Sequence, residues 1–123
     1  MTTMNAEVIK TFYFEAAHRL PNVPVGHKCA RLHGHNYRVD VHVAGPVGQQ
    51  TGWVMDFGEI KRLVEPVLAV LDHQCLNDLA GLDNPTSERI AEYLFEKIRA
   101  GLAGLTAVTV WESDTSRCTY RGR

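Results

Sequence analysis

The chain has 123 residues, 13 lysines and arginines against 14 aspartates and glutamates, a formal net charge of −1 and a 45% hydrophobic share. These values exclude a disordered polymer, which needs low apolar content or high net charge. They also argue against a nucleic-acid binder, which carries a basic excess on one face.

No apolar run approaches the roughly 18 residues of a membrane span. The segment from Met1 to Glu7 lacks the basic-then-apolar pattern of a signal peptide. The three cysteines cannot all pair within one chain, so reduced thiols and a cytoplasmic location are expected. The length fits one domain over residues 1–123. Such a domain buries roughly two-thirds of its unfolded surface and needs no disulfide staples.

The stretch Val8 to Arg19 reads as a strand. Val8, Phe12, Phe14 and Ala16 form one apolar line, broken only by Lys10, and period two places His18 on the same face. Pro21, Pro24 and Gly26 mark a loop to about Arg31. From His33 to Ala44 the alternation is clear: Tyr37, Val39, Val41 and Val43 are apolar, while Asn36, Arg38, Asp40 and His42 are polar. That pattern predicts an antiparallel strand with one wet face, on which His42 is a solvated surface residue. The run Gly45-Pro46-Val47-Gly48 ends it.

A helix is expected from Asp56. Asp56 can cap the first turn, with Glu59 three residues on, as in a capping box. Ile60, Leu63, Val64, Val67, Leu68 and Leu71 form one helical stripe. Pro66 removes a backbone donor inside it and should kink or split the helix. A second helix is expected from Asn84-Pro85-Thr86-Ser87-Glu88, with Pro85 in the first helical position, running through Ile90, Leu94 and Ile98 to Leu102. Two short strands, Leu105 to Glu112 and Arg117 to Tyr120, close the chain around a Ser113–Ser116 turn. The order ββααββ implies an α+β fold: a four-stranded antiparallel sheet with two helices on one face.

Chemistry concentrates in the six histidines. His33 and His35 lie two apart on a strand, so both rings face the Tyr37 side. Antiparallel pairing would bring His18 beside them. Three imidazoles at a sheet end suit a catalytic zinc site with an open fourth position; the alternative is a merely polar strand end. His27, in the loop, is ambiguous. Cys29, four residues before His33, reads either as a fourth ligand in a closed structural site or as a free thiol favoured as thiolate by zinc, Lys28 and Arg31. Cys75 and Cys118 read as small core residues. Asp72-His73 follows the first helix. It is either an oriented acid–base pair, provided the helix has ended, or charged punctuation at a helix C-terminus. Glu112 ends the apolar line of Val108 and Val110. It needs a partner: a salt bridge, or the paired N–H donors of a ligand.

Phe14-Glu-Ala-Ala-His18, Cys29-Ala-Arg-Leu-His33-Gly-His35, Leu71-Asp72-His73, Asn84-Pro-Thr-Ser-Glu88 and Trp111-Glu112 occur in one order and spacing. On these motifs the chain resembles the 6-pyruvoyl-tetrahydropterin synthase family, over most of its length. The three residues between Cys29 and His33 resemble the branch that serves queuosine precursor biosynthesis. The resemblance implies the tunnelling fold, with sheets joined into a barrel and stacked as a homohexamer, and zinc on His18, His33 and His35. It implies Cys29 as general base, Asp72 and His73 as a proton relay, and Glu112 as pterin anchor with a part in charge relay. The implied substrate is 7,8-dihydroneopterin triphosphate. The implied products are a 6-carboxy-tetrahydropterin, acetaldehyde and triphosphate, or, in the pyruvoyl branch, triphosphate without carbon–carbon cleavage. Lys28 and Arg31 are the nearby cations for the triphosphate. The resulting expectation is a zinc lyase with a small-molecule partner and neither nucleic acid nor membrane.

Overall fold

A computed structural model describes residues 3–123; Met1 and Thr2 lie outside it. In chain order it forms β1 (Asn5–His18), β2 (His33–Pro46), α1 (Phe57–Leu71), β3 (Gln74–Cys75), α2 (Ser87–Arg99), β4 (Leu105–Ser113) and β5 (Ser116–Tyr120). The strands make one five-stranded sheet in the order β3-β1-β2-β4-β5. The expected four antiparallel strands are present, but the order ββααββ is incomplete and the sheet is mixed. β3 pairs parallel to β1 through Ala16↔Gln74 and Ala17↔Cys75. Two residues are too short for any period to show in sequence.

The long β1/β2 hairpin fixes the register on which the site depends. Phe12 faces Val39, Phe14 faces Tyr37, Ala16 faces His35 and His18 faces His33. Val39 and Val41 continue across to Val110 and Val108. This apolar face packs on α1 through Ile60, Val64, Leu68 and Leu71, and on α2 through Ile90, Ala91, Leu94, Phe95 and Ile98, all buried. Fully burying a side chain of this kind contributes about 1.5–3 kcal/mol. Truncating one, as in Leu94→Ala, would cost about 2–5 kcal/mol.

Asp56 caps α1 by accepting from the Gly58 N–H at 3.0 Å. The capping box does not close: the Glu59 carboxylate pairs with Arg62 instead. Pro66 does not split the helix, which runs unbroken to Leu71; Pro66 lies on its exposed side. In α2 the N-cap is Thr86, whose hydroxyl accepts from the Arg89 N–H at 3.2 Å. Pro85 therefore precedes the cap, and its own carbonyl serves the site.

The far face of the sheet is less wet than its alternation suggests. Asp40 is 7% exposed. It accepts from Thr11 Oγ1 at 2.8 Å, Trp111 Nε1 at 2.9 Å and the Arg38 guanidinium at 3.1 and 3.2 Å. Burial acts to raise its carboxyl, but the bonds from Trp111, Thr11 and Arg38 outweigh it and hold the group below the usual carboxylate range. His42 is likewise not a free surface residue: its ring meets Glu7 Oε1 at 3.3 Å and Thr109 Oγ1 at 3.1 Å. Long side chains on β2 and β4 cover one another, and alternation alone does not reveal that.

Candidate active site

The end of the β1/β2 hairpin carries His18, His33 and His35, and one ring nitrogen of each lies within 4.8 Å of the other two. The register explains this: His18 and His33 are cross-strand partners, and His35 follows two residues later on the same face.

Each ring is oriented from behind. His18 Nδ1 meets the Pro85 carbonyl at 2.8 Å, and His33 Nδ1 meets the Arg31 carbonyl at 2.7 Å. A carbonyl only accepts, so both Nδ1 atoms carry the hydrogen and both Nε2 atoms present lone pairs. Those two Nε2 atoms lie 3.0 Å apart. Two acceptors facing each other need something positive between them. In a tetrahedral zinc site, with Zn–N near 2.0–2.1 Å, ligand nitrogens lie about 3.3 Å apart. His35 Nε2 is buried and has no hydrogen-bond partner. An orphaned buried nitrogen in a three-imidazole cluster fits a divalent metal, and three ligands leave a position open.

Burial favours the ligating form. His18 is fully buried, and that pushes its imidazole below the ordinary range despite the opposing Pro85 bond; the neighbouring rings act in the same direction as burial. Burial also lowers His35, against the pull of Glu112. Both rings are therefore held neutral. Tyr37, fully buried, sets its hydroxyl 3.2 Å from His18 Nδ1; burial, and then Glu112, push that hydroxyl above the usual phenol range.

Glu112 stands at a register shift between Trp111 and Ser113 in the β4/β5 pairing. Its Oε1 lies 3.5 Å from His18 Nε2 and 3.4 Å from His35 Nε2. The partner that Glu112 needs is therefore the three-imidazole cluster itself. Cys29 is half-buried on a 3-10 turn, Lys28–Ala30, within the stretch expected to be loop. Its N–H donates to His27 Nδ1 at 3.1 Å, and its carbonyl accepts from the Leu20 N–H at 2.8 Å, which pinches the loop shut next to His18. The cluster within 4.8 Å is made of the three histidines, without Cys29. Lys28 and Arg31 are exposed on the same loop.

The helix does end before the Asp72-His73 pair: Asp72 is the C-cap of α1. His73 follows with φ +59°, a left-handed conformation that histidine adopts more readily than most residues but which still costs about 1–3 kcal/mol. Adjacent side chains can meet in this bend. His73 Nδ1 lies 2.9 Å from Asp72 Oδ2. Glu15, on β1, holds the bend and was not singled out from the sequence. Its N–H donates to Asp72 Oδ1 at 2.9 Å, its carbonyl accepts from the His73 N–H, and its Oε2 lies 3.4 Å from His73 Nε2. The Glu15 N–H and then His73 hold the Asp72 carboxyl below its usual range, and the Asp72 bond raises His73. A cavity of about 540 Å³ is lined by His35 and His73 together, with Glu15, Gln74 and Cys75 on its walls. Cys75, read as core, is half-buried there; Cys118 is half-buried on β5, and burial raises its thiol.

The backbone carbonyls of Pro85 and Arg31 carry no side-chain signal and could not have been found by motif. The fold and site can be set beside known proteins. A protein of Synechocystis sp. named 6-carboxy-5,6,7,8-tetrahydropterin synthase is 46% identical over 119 residues, covering 92% of this chain and 91% of that one. A Pyrococcus furiosus protein named dihydroneopterin monophosphate aldolase is 37% identical over 114 residues, covering 90% and 93%. The structure of Caenorhabditis elegans 6-pyruvoyl tetrahydropterin synthase superposes with a TM-score of 0.91 at 31% identity, covering 100% of both chains. The model of the family described as 6-pyruvoyl tetrahydropterin synthase matches residues 7–123, and the chain belongs to that family.

Proposed function

We propose that this chain is a zinc-dependent carbon–carbon lyase. It converts 7,8-dihydroneopterin triphosphate and one water to 6-carboxy-5,6,7,8-tetrahydropterin, acetaldehyde and triphosphate, in the route to the queuosine precursor. The observation that carries the reading is the three-imidazole cluster with backbone-fixed Nδ1 atoms and an orphaned Nε2. It occurs in a chain 46% identical to a protein of that name. Residues 1–123 act as one catalytic domain.

His18, His33 and His35 hold the metal, and zinc suits them because it is at home with neutral imidazole. When bound, it supplies Lewis acidity toward the substrate's side-chain oxygens, which acidifies the adjacent C–H bond. The remaining steps belong to the chain. Glu112 accepts two parallel N–H bonds from the pterin edge, the geometry in which a carboxylate is strongest. The closeness of its carboxylate to the His18 and His35 nitrogens supports this role. The Cys29 thiolate takes the proton from carbon. His73 carries a proton at a second step. Asp72 fixes the Nδ1 hydrogen toward itself, which leaves Nε2 as the exchanging atom. Lys28 and Arg31 neutralise the triphosphate.

The homohexamer is part of the same proposal. β3 and β5 leave unpaired strand edges, which a second chain's sheet would cover. No helix among the described residues is long and apolar enough to cross a membrane.

The likeness to a 6-pyruvoyl tetrahydropterin synthase structure favours one second reading, in which triphosphate is eliminated and the carbon–carbon bond survives. Incubating zinc-loaded protein with 7,8-dihydroneopterin triphosphate separates the two. The lyase releases acetaldehyde and a 6-carboxy product by mass; a pyruvoyl product without acetaldehyde establishes the second reading.

A further inference from the structure

We infer that Asn77 is a positioning residue for His18; the inference rests on the metal reading of the three histidines. Asn77 lies in the 3-10 turn Leu76–Asp78, directly after β3. The backbone pairing of β3 with β1 stops at Ala17↔Cys75. The Asn77 side chain then takes over. Its Oδ1 accepts from the Arg19 N–H at 2.9 Å, and its Nδ2 donates to the Arg19 carbonyl at 2.8 Å. A primary amide here does what a neighbouring strand's backbone would do, exchanging both bonds with the residue that follows His18.

The remaining valences are also used. Nδ2 donates to the Asp83 carbonyl at 3.4 Å, and the Cys75 thiol donates to Oδ1 at 3.9 Å. An asparagine amide has two donor hydrogens and two acceptor sites, and all four are engaged. Asp83 lies two residues before Pro85, whose carbonyl fixes the His18 ring. One amide therefore ties the backbone from which His18 projects to the segment that orients its imidazole. Aspartate has the same shape but no hydrogens to give, and would set a charged oxygen against two carbonyls.

The test compares zinc affinity, by chelator competition, for the wild-type chain, Asn77→Asp and Asn77→Ser. The melting temperature of each metal-free protein is read alongside, together with the visible spectrum of each cobalt-substituted form. Asn77→Asp should bind zinc about tenfold more weakly, the low end of what outer-shell partners contribute, with a changed cobalt spectrum. Asn77→Ser, which leaves room for water to replace part of the network, should lose less. A lower metal-free melting temperature with zinc affinity within about twofold of wild type makes Asn77 an ordinary turn residue and overturns the inference. If Asn77→Asp does not fold, Asn77→Ser carries the test: zinc affinity weakened by more than about twofold supports the inference, and affinity within about twofold of wild type overturns it. Failure of the wild-type chain itself to bind zinc is a different result: it defeats the metal reading, and this inference with it.

Discussion

The three imidazoles and the Asp72–His73 pair reach their geometry by opposite means. His18 is fully buried and is held by a carbonyl 67 residues away; His33 is held by the Arg31 carbonyl. His73 is 72% exposed, in a strained backbone conformation, and its partners are its sequence neighbour and Glu15. Metal ligands must be neutral, convergent and fixed, and burial with backbone acceptors supplies all three conditions. The proton-carrier role proposed for His73 requires it to gain and lose charge, which a buried site would penalise; contact with water and orientation by a carboxylate suit that role.

The strongest way to break this contrast is His33→Ala. Removing one of three ligands should weaken zinc binding by more than about 100-fold, beyond the cost of losing an outer partner, and turnover should vanish with the metal. Metal analysis alongside product assay checks that the two fall together. Cys29→Ala should behave differently: full zinc content with turnover reduced about 10²- to 10⁴-fold. Loss of metal and of folding in that variant would instead make Cys29 a ligand of a structural module.

Asp72→Asn tests the exposed half. The Asp72 carboxylate favours the imidazolium form of His73, so its removal should bring the His73 midpoint down toward the ordinary value of about 6.5. The same limb of the pH–rate profile should move to lower pH. The midpoint is read by NMR titration of the imidazole, and zinc content should stay unchanged. Glu112→Gln keeps one acceptor and adds a donor where the pterin also donates. Pterin affinity should fall about tenfold with zinc retained, measured by equilibrium binding to the metal-loaded protein. Unchanged affinity would remove Glu112 from the site.

The same contrast governs what could be read from sequence. Strands β1 and β2 announce themselves by period two, which sets His18 on the apolar side of one and His33 and His35 on that of the other; antiparallel pairing then brings the three together. The Asp72-His73 pair was visible as a dipeptide, but its usefulness depended on where α1 stops, which the C-cap at Asp72 decides. β3, two residues long, has no period. The anchors on the imidazoles are main-chain carbonyls of Pro85 and Arg31, and every residue has a carbonyl. Pro85 was legible as a helix opener, yet it lies before the cap because Thr86 offers the hydroxyl that closes the first turn. The alternation marked Asp40 and His42 as wet, but their partners come from β1 and β4, and only the register reveals them.

The most direct measurement is a stoichiometric titration of the metal-free protein with zinc, following acetaldehyde release from 7,8-dihydroneopterin triphosphate. The account predicts that turnover rises linearly to one zinc per chain and then stays level. Full turnover without metal, or zinc binding at one per chain with no carbon–carbon cleavage, would contradict it.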